Sequence, residues 1–184
     1  MPDTDKTAAR LKRLIEIATQ LNATYHSDEL LQLIMQATTE LTDAATSSLL
    51  LLDDDTNELV FKVSTADPEL VGRRMPADQG IAGTSLKTAE PVVVDDAAKD
   101  ERFYAGVDEK VGTDTKNLIA VPLMLRGDAI GVLEAVNSRE RPFTPDDVEI
   151  ASALAALAAV AIDNASMYAR LADAVVTARL SYRL

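Results

Sequence analysis

The sequence predicts an α+β domain built on an antiparallel sheet. Three observations carry this: two helical repeats at the start, two strand pairs around a long irregular segment, and a closing stretch with no Gly or Pro from Asp146 to Leu184. Helices and strands that come in runs, rather than alternating, belong to antiparallel sheets with segregated helices. At 184 residues the chain fits one domain with helical extensions.

The elements follow in order. Residues 7–25 form a first helix, with Leu11, Leu14, Ala18, Leu21 and Tyr25 at steps of three and four. A second runs over 28–43 through Leu30, Leu31, Ile34, Met35, Thr38 and Leu41, after Ser27 and its acidic first turn. Strands are expected at 47–52 and 58–65, joined by the turn-forming run Asp53 to Asn57. The acidic triplet Asp53, Asp54 and Asp55 invites a calcium reading. A calcium loop of the helix-loop-helix type needs Gly where Glu58 stands and Glu where Ser64 stands, so a solvated hairpin tip is expected.

A short strand at 91–94 and two longer ones at 117–125 and 129–137 complete the sheet, the last two joined by a tight turn at Arg126, Gly127 and Asp128. Residues 66–116 are too long for a simple connection and read as a lid or binding segment. Within them Gly80 to Ser85 begins a short helix and Asp100 to Tyr104 lies in another.

The closing helix is about 55 Å long at 1.5 Å per residue, more than a small domain requires. Ala151, Leu154, Ala158, Ala161, Ala165, Tyr168, Ala172 and Val175 form an alanine-rich seam at alternating steps of three and four. Paired with the first helix, this seam predicts a four-helix bundle across a homodimer. The apolar run Ala151 to Ile162 is too short to predict a membrane span. The expected division is residues 1–26 as a dimerisation or linker helix, 27–167 as the domain and 168–184 as a helical extension.

Net charge is −12, and no cluster of Lys or Arg is dense enough for a nucleic-acid footprint. Without cysteine there are no disulfides, thiolate nucleophiles or thiolate metal ligands. His26, the sole imidazole, sits at a helix junction and reads as a capping or surface residue, so no metal site is expected. The run Met1 to Asp5 lacks the pattern of a secretory signal, which places the chain in the cytoplasm.

Two features of the lid suit a ligand. Gly80 to Gly83 is either a turn that needs glycine or a helix N-terminus that offers free amides to an anion. Phe103 and Tyr104 either stack on a flat ligand or plug a small core.

The runs Pro76 to Gly83, Phe103 to Asp108, Thr115 to Pro122 and Gly131 to Asn137, taken together, resemble a GAF domain over roughly residues 25–170. The resemblance is closest to the GAF domains of cyclic-nucleotide phosphodiesterases and bacterial adenylyl cyclases. It implies a six-stranded antiparallel sheet with helices on one face and a lid-covered pocket on the other. It also implies a ligand site at Ser48, the backbone of Ile81 and Ala82, Tyr104, Asp108, Thr115 and Glu134, with Phe103 beside it. Ser64 and Thr65 stand where nucleotide binders place an aromatic and an acid. The family's asparagine-lysine signature reads Asn137, Ser138, Phe143 and Asp147, and serine for lysine is expected to remove an ion pair to Asp147.

The resulting expectation is a regulatory small-molecule sensor with no catalytic residues and no cofactor beyond a cyclic AMP or cyclic GMP ligand. It would signal through dimer helices to an unidentified output domain. A ligand-free dimerisation and coupling module is the alternative. Neither a nucleic acid nor a membrane is an expected partner.

Overall fold

The computed structural model describes residues 2–23, 27–103 and 114–181, with side chains described for 8–20, 29–103, 114–168, 170 and 171. Helices α1 (Pro2–Ala23) and α2 (Ser27–Thr42) lead into strands β1 (Ala44–Asp53) and β2 (Glu58–Ser64). Then come β3 (Arg74–Pro76), helix α3 (Gly80–Thr88), β4 (Val92–Val94), β5 (Leu118–Leu125), β6 (Asp128–Ser138) and the long helix α4 (Pro145–Ser181). Every pairing is antiparallel, and the sheet order is β3-β2-β1-β6-β5-β4.

Alternation along the strands creates two cores. Leu49, Val63, Ile119, Val121, Leu133 and Ala135 point toward α2 and α4, where Ile34, Met35, Leu154 and Ala158 are buried. Leu50, Leu59, Phe61, Leu118, Ala120 and Val132 form the opposite core with Met75, Ile81 and Ala82. Each large aliphatic side chain buried in either core contributes about 1.5–3 kcal/mol. Because both faces of β5 are covered, its first six residues are buried, unlike a one-sided strand. Pro122 is tolerated within β5 because β4 pairs only as far as Ala120, leaving the amide side of Pro122 at an edge.

Close approach explains Gly131 in β6. A Cβ there would lie 2.3 Å from the Leu50 carbonyl oxygen and 2.9 Å from a Leu51 methyl. At the β5–β6 hairpin, Leu125 faces Asp128, so the loop is Arg126 and Gly127, both with positive φ as a twisted two-residue turn requires. At the other hairpin, Asp53 Oδ1 accepts from the Asp55 and Thr56 amides while Oδ2 accepts from Arg74. The acidic triplet thus opens with a local turn anchored to β3.

The expected elements are present with shifted ends, and β3 is additional. Three residues without clear alternation left it invisible in the sequence. After the 3-10 turn Ala97–Lys99, residues 100–102 form a turn, not the short helix expected from Asp100 onward; Tyr104 lies outside the described residues, as do Tyr25 and His26.

Over its first half the alanine seam is taken up by the domain itself, while the side chains of Ala172 and Val175 lie outside those described. Ala151, Leu154 and Ala158 are fully buried in the domain's own helix-side core, and Ala161 and Ala165 pack against it half-buried. Among the described residues, the large apolar side chains that α4 leaves exposed are Val160, Met167, Tyr168 and Leu171, while α1 exposes Leu11 and Ile15. Pro145–Tyr168 is long and apolar enough to cross a membrane by length and composition, with mean hydropathy 1.6. Its buried alanines pack on α2 and β5, so this face already belongs to the protein interior.

Candidate functional site

On the face of the sheet away from α2 and α4, a cavity of about 200 Å³ lies between the strands and α3. Register builds its floor. Ser64, Ser48, Glu134 and Ala120 are cross-strand partners in one row, and Ser48 and Glu134 line the cavity. Ser48 is buried, and its hydroxyl lies 3.0 Å from that of Ser64, which also accepts from the Ala66 amide. Thr46 and Val136, two residues along from Ser48 and Glu134, extend the same surface.

One wall is α3. Gln79 precedes it in extended conformation and makes no side-chain cap, so the first turn around Gly80, Ile81 and Ala82 meets the cavity without a competing side-chain acceptor. Gly80 has φ of 72°, which favours glycine. Gly83 serves packing instead, since a Cβ would lie 2.9 Å from the Ala77 carbonyl oxygen. Both readings of the two-glycine segment therefore have a structural counterpart. Ser85, at 2.9 Å from the Glu90 carbonyl and 3.3 Å from that of Ala120, fastens α3 to β5.

The other walls are Phe61, Leu70, Met75, Leu118 and Phe103. Phe103 lines the cavity and also packs, half-buried, on the lid-side core, so it contributes to closing that core. Just before it, the Arg102 guanidinium holds the Asp100 carboxyl below the usual carboxylate range, against a smaller upward push from burial.

The mouth is set by Asn137, the penultimate residue of β6, which has a positive φ of 57°. Its side-chain oxygen accepts from the Lys116 amide at 2.7 Å, and its nitrogen donates to the Asp114 carbonyl at 2.9 Å. These bonds place Asp114 and Thr115 at the cavity.

Of the ten residues expected at a ligand site, Ser48, Ile81, Ala82, Phe103, Thr115 and Glu134 line this cavity. Ser64 stands behind Ser48. Thr65 points elsewhere: its hydroxyl accepts from the Ser47 amide at 2.8 Å and closes the end of the β1–β2 ladder. Tyr104 and Asp108 lie outside the described residues. The sequence reading missed Thr46, Phe61 and Val136, which period-two alternation could have found, and Leu70 and Met75, which come from a 3-10 turn and a strand without a clear signal.

The expected loss of an ion pair at Asp147 is also corrected. Asp147 is completely buried and accepts two hydrogen bonds from Arg141, with Arg10 of α1 at 3.5 Å. It also accepts from the Thr144 amide and hydroxyl, both at 2.8 Å, tying down the first turn of α4. Burial pushes this carboxyl up, but Arg141 and Thr144 together push it further down, leaving it below its ordinary range. Arginines from α1 and the β6–α4 loop replace the lysine that Ser138 lacks.

A six-stranded antiparallel sheet with a helical layer behind it and a cavity beneath α3 is the layout of an α+β domain with room for a small molecule. The sequence pattern of the GAF domain family matches residues 25–163, and the chain belongs to that family. It is 34% identical over 146 residues to the probable 3',5'-cyclic phosphodiesterase pde-5 of Caenorhabditis elegans, covering 73% of this chain and 20% of that protein. It is 33% identical over 99 residues to the dual 3',5'-cyclic-AMP and -GMP phosphodiesterase 11A of Takifugu rubripes, covering 52% of this chain and 11% of the relative. The chain thus corresponds to a minor part of these enzymes.

Among solved structures, the GAF domain of a phosphoenolpyruvate-protein phosphotransferase from Coxiella burnetii superposes with TM-score 0.80 at 22% identity, covering 88% of this chain and 96% of that one. The free methionine-R-sulfoxide reductase of Neisseria meningitidis, in complex with its substrate, gives 0.75 at 23% identity, covering 89% and 93%. These similarities establish the six-stranded GAF fold, and the family's members are regulatory modules.

Proposed function

We propose that this domain senses a small molecule in the cavity beneath α3 and reports its occupancy through α4. The supporting observation is the continuity of β6. Glu134 faces the cavity, Asn137 holds the 114–117 segment, and the chain then runs to Arg141 and Asp147 at the root of α4. A ligand that shifts β6 or its mouth acts directly on the helix that leaves the domain.

A cyclic nucleotide is the ligand class raised by the resemblance and by the names of the relatives. Ser48, Ile81, Ala82, Thr115 and Glu134 are the described residues it would meet. Calorimetric titration with cyclic AMP and with cyclic GMP tests that ligand. Absence of heat and of thermal shift at millimolar concentration removes it.

Binding, not catalysis, is the proposed activity. The chain has no cysteine for redox chemistry, and a lining carboxylate such as Glu134 is as much a ligand contact as an acid or base. The setting is cytoplasmic, as part of a signalling protein whose output module lies elsewhere.

Homodimerisation through α1 and α4 is part of the proposal. The exposed residues Val160, Met167, Tyr168 and Leu171 recur along one face of α4 at helical spacing, which favours a second reading as a coupling module that dimerises without ligand. Light scattering of Met167→Glu/Leu171→Glu tests whether this face is the dimer contact. Monomers support this face as the contact, and an unchanged dimer rejects it.

A further inference from the structure

A second route leads to the root of α4 without passing through the cavity, and it starts at α1. Arg10, Arg13, Leu14 and Ile17 fall at steps of three and four on one face of that helix. Ile17 is fully buried in the helix-side core, with Leu14 packed against it. Arg13 donates to both carboxylate oxygens of Glu40 in α2, at 3.1 Å from each. Arg10 reaches the first turn of α4, its Nη2 3.5 Å from Asp147 Oδ1. Leu11 and Ile15 beside them are exposed, so α1 is held to the domain by this one face.

The two ion pairs differ in kind. Arg13 and Glu40 are both exposed, and such pairs contribute little. Arg10 meets a carboxylate with no exposed surface, whose other partners are Arg141 and Thr144. This contact forms only when α1 is docked and Asp147 is seated, so it stabilises the two arrangements together and links them by its own strength. The linkage runs both ways. Lifting α1 takes a cation away from a buried charge at the start of α4, and unseating Asp147 releases one attachment of α1. We infer that α1 is an input arm of the domain, coupled to the output helix through Arg10 and Asp147, so that whatever displaces α1 loosens the first turn of α4. The coupling holds whether or not the cavity contains a ligand.

Hydrogen exchange on the intact chain tests this at the amides of residues 148–151 and at those of residues 14–20, with the β1 and β6 ladders as the reference for global stability. Arg10→Met should raise exchange at 148–151 about three- to fivefold, the strength of one partly exposed pair. Arg10→Lys keeps the charge and should restore the slow rate. Ile17→Ala lifts α1 by another means and should give the same rise at 148–151, with no further rise in the Arg10→Met/Ile17→Ala double variant. By reciprocity, Asp147→Asn should raise exchange over 14–20 by the same factor. Unchanged exchange at 148–151 in either single variant overturns the inference, as does a lysine variant that exchanges like the methionine one. Additive rises in the double variant also overturn it, because they assign the link to apolar packing. So does unchanged exchange over 14–20 in Asp147→Asn. Should Ile17→Ala not fold, the Arg10 and Asp147 variants decide by themselves. All of these results leave the sensor reading of the cavity standing, which calorimetric titration decides separately.

Discussion

Replacing Asp147 with Asn probes the anchor of the output helix. The carboxylate has no exposed surface and accepts two bonds from Arg141 and two from Thr144. Removing one partner of a fully buried ion pair costs about 3–5 kcal/mol. Here Arg141 and Arg10 keep 39% and 30% of their side-chain surface exposed, so both can regain water, which lowers the cost. What remains is the cap to the Thr144 amide, worth about 1 kcal/mol, and the charge-assisted bonds, worth about 1.5–3 kcal/mol before that discount. A loss of about 2–3 kcal/mol is expected, or roughly 4–12 °C in Tm for a domain of this size.

Urea denaturation and calorimetry measure it. Arg10→Met should cost less than about 1 kcal/mol, since its longer, partly exposed contact is the weaker one. The pH dependence supplies a sharper check. The native carboxyl titrates below its ordinary value, so its stabilisation is complete above the unfolded value of about 3.9 and disappears as pH falls through the lower native value. The gap between wild type and Asp147→Asn should be flat from about pH 5 to 8 and close in stronger acid. A variant within about 0.5 kcal/mol of wild type at neutral pH would refute the anchoring role.

Gly131→Ala places a methyl against the Leu50 carbonyl and should cost about 3 kcal/mol or more through separation of β1 and β6; a Tm unchanged within 2 °C of wild type, a shift of well under about 1 kcal/mol, would contradict that contact. Asn137→Ala removes the bonds to residues 114–116 and leaves a non-glycine residue at positive φ. It should weaken the cavity mouth by about 2 kcal/mol, seen as roughly thirtyfold faster hydrogen exchange at Lys116 and as weaker ligand binding. Exchange at wild-type rates would show that the clamp is not formed in solution. Ser48→Ala should remove the bond to the Ser64 hydroxyl, which keeps its bond from the Ala66 amide, and cost about 1 kcal/mol, with no change in the β1–β6 register by the pattern of exchange protection.

Much of the domain was readable because local periodicity reports burial. The alternation around Leu49, Leu133 and Ile119 marks strands with a buried face, and Leu30, Ile34 and Met35 mark a helix whose apolar side needs a sheet. Phe61 and Met75 show the limit. Phe61 alternates correctly but nothing local says which face holds a cavity, and Met75 sits in a three-residue strand too short to have a period.

The sequence by itself determined the order of elements, the lack of thiol chemistry, the acidic charge and an oversized final helix. Only the tertiary structure decided how those parts are used. It buried the first half of the alanine seam inside the domain, turned Thr65 away from the cavity and brought Arg10 to Asp147 from the far end of the sequence. The physical reason is the same in each case. Periodicity encodes that a face is buried, whereas the partner that covers it, and the charge that meets a buried carboxylate, are chosen by packing between residues far apart in the chain.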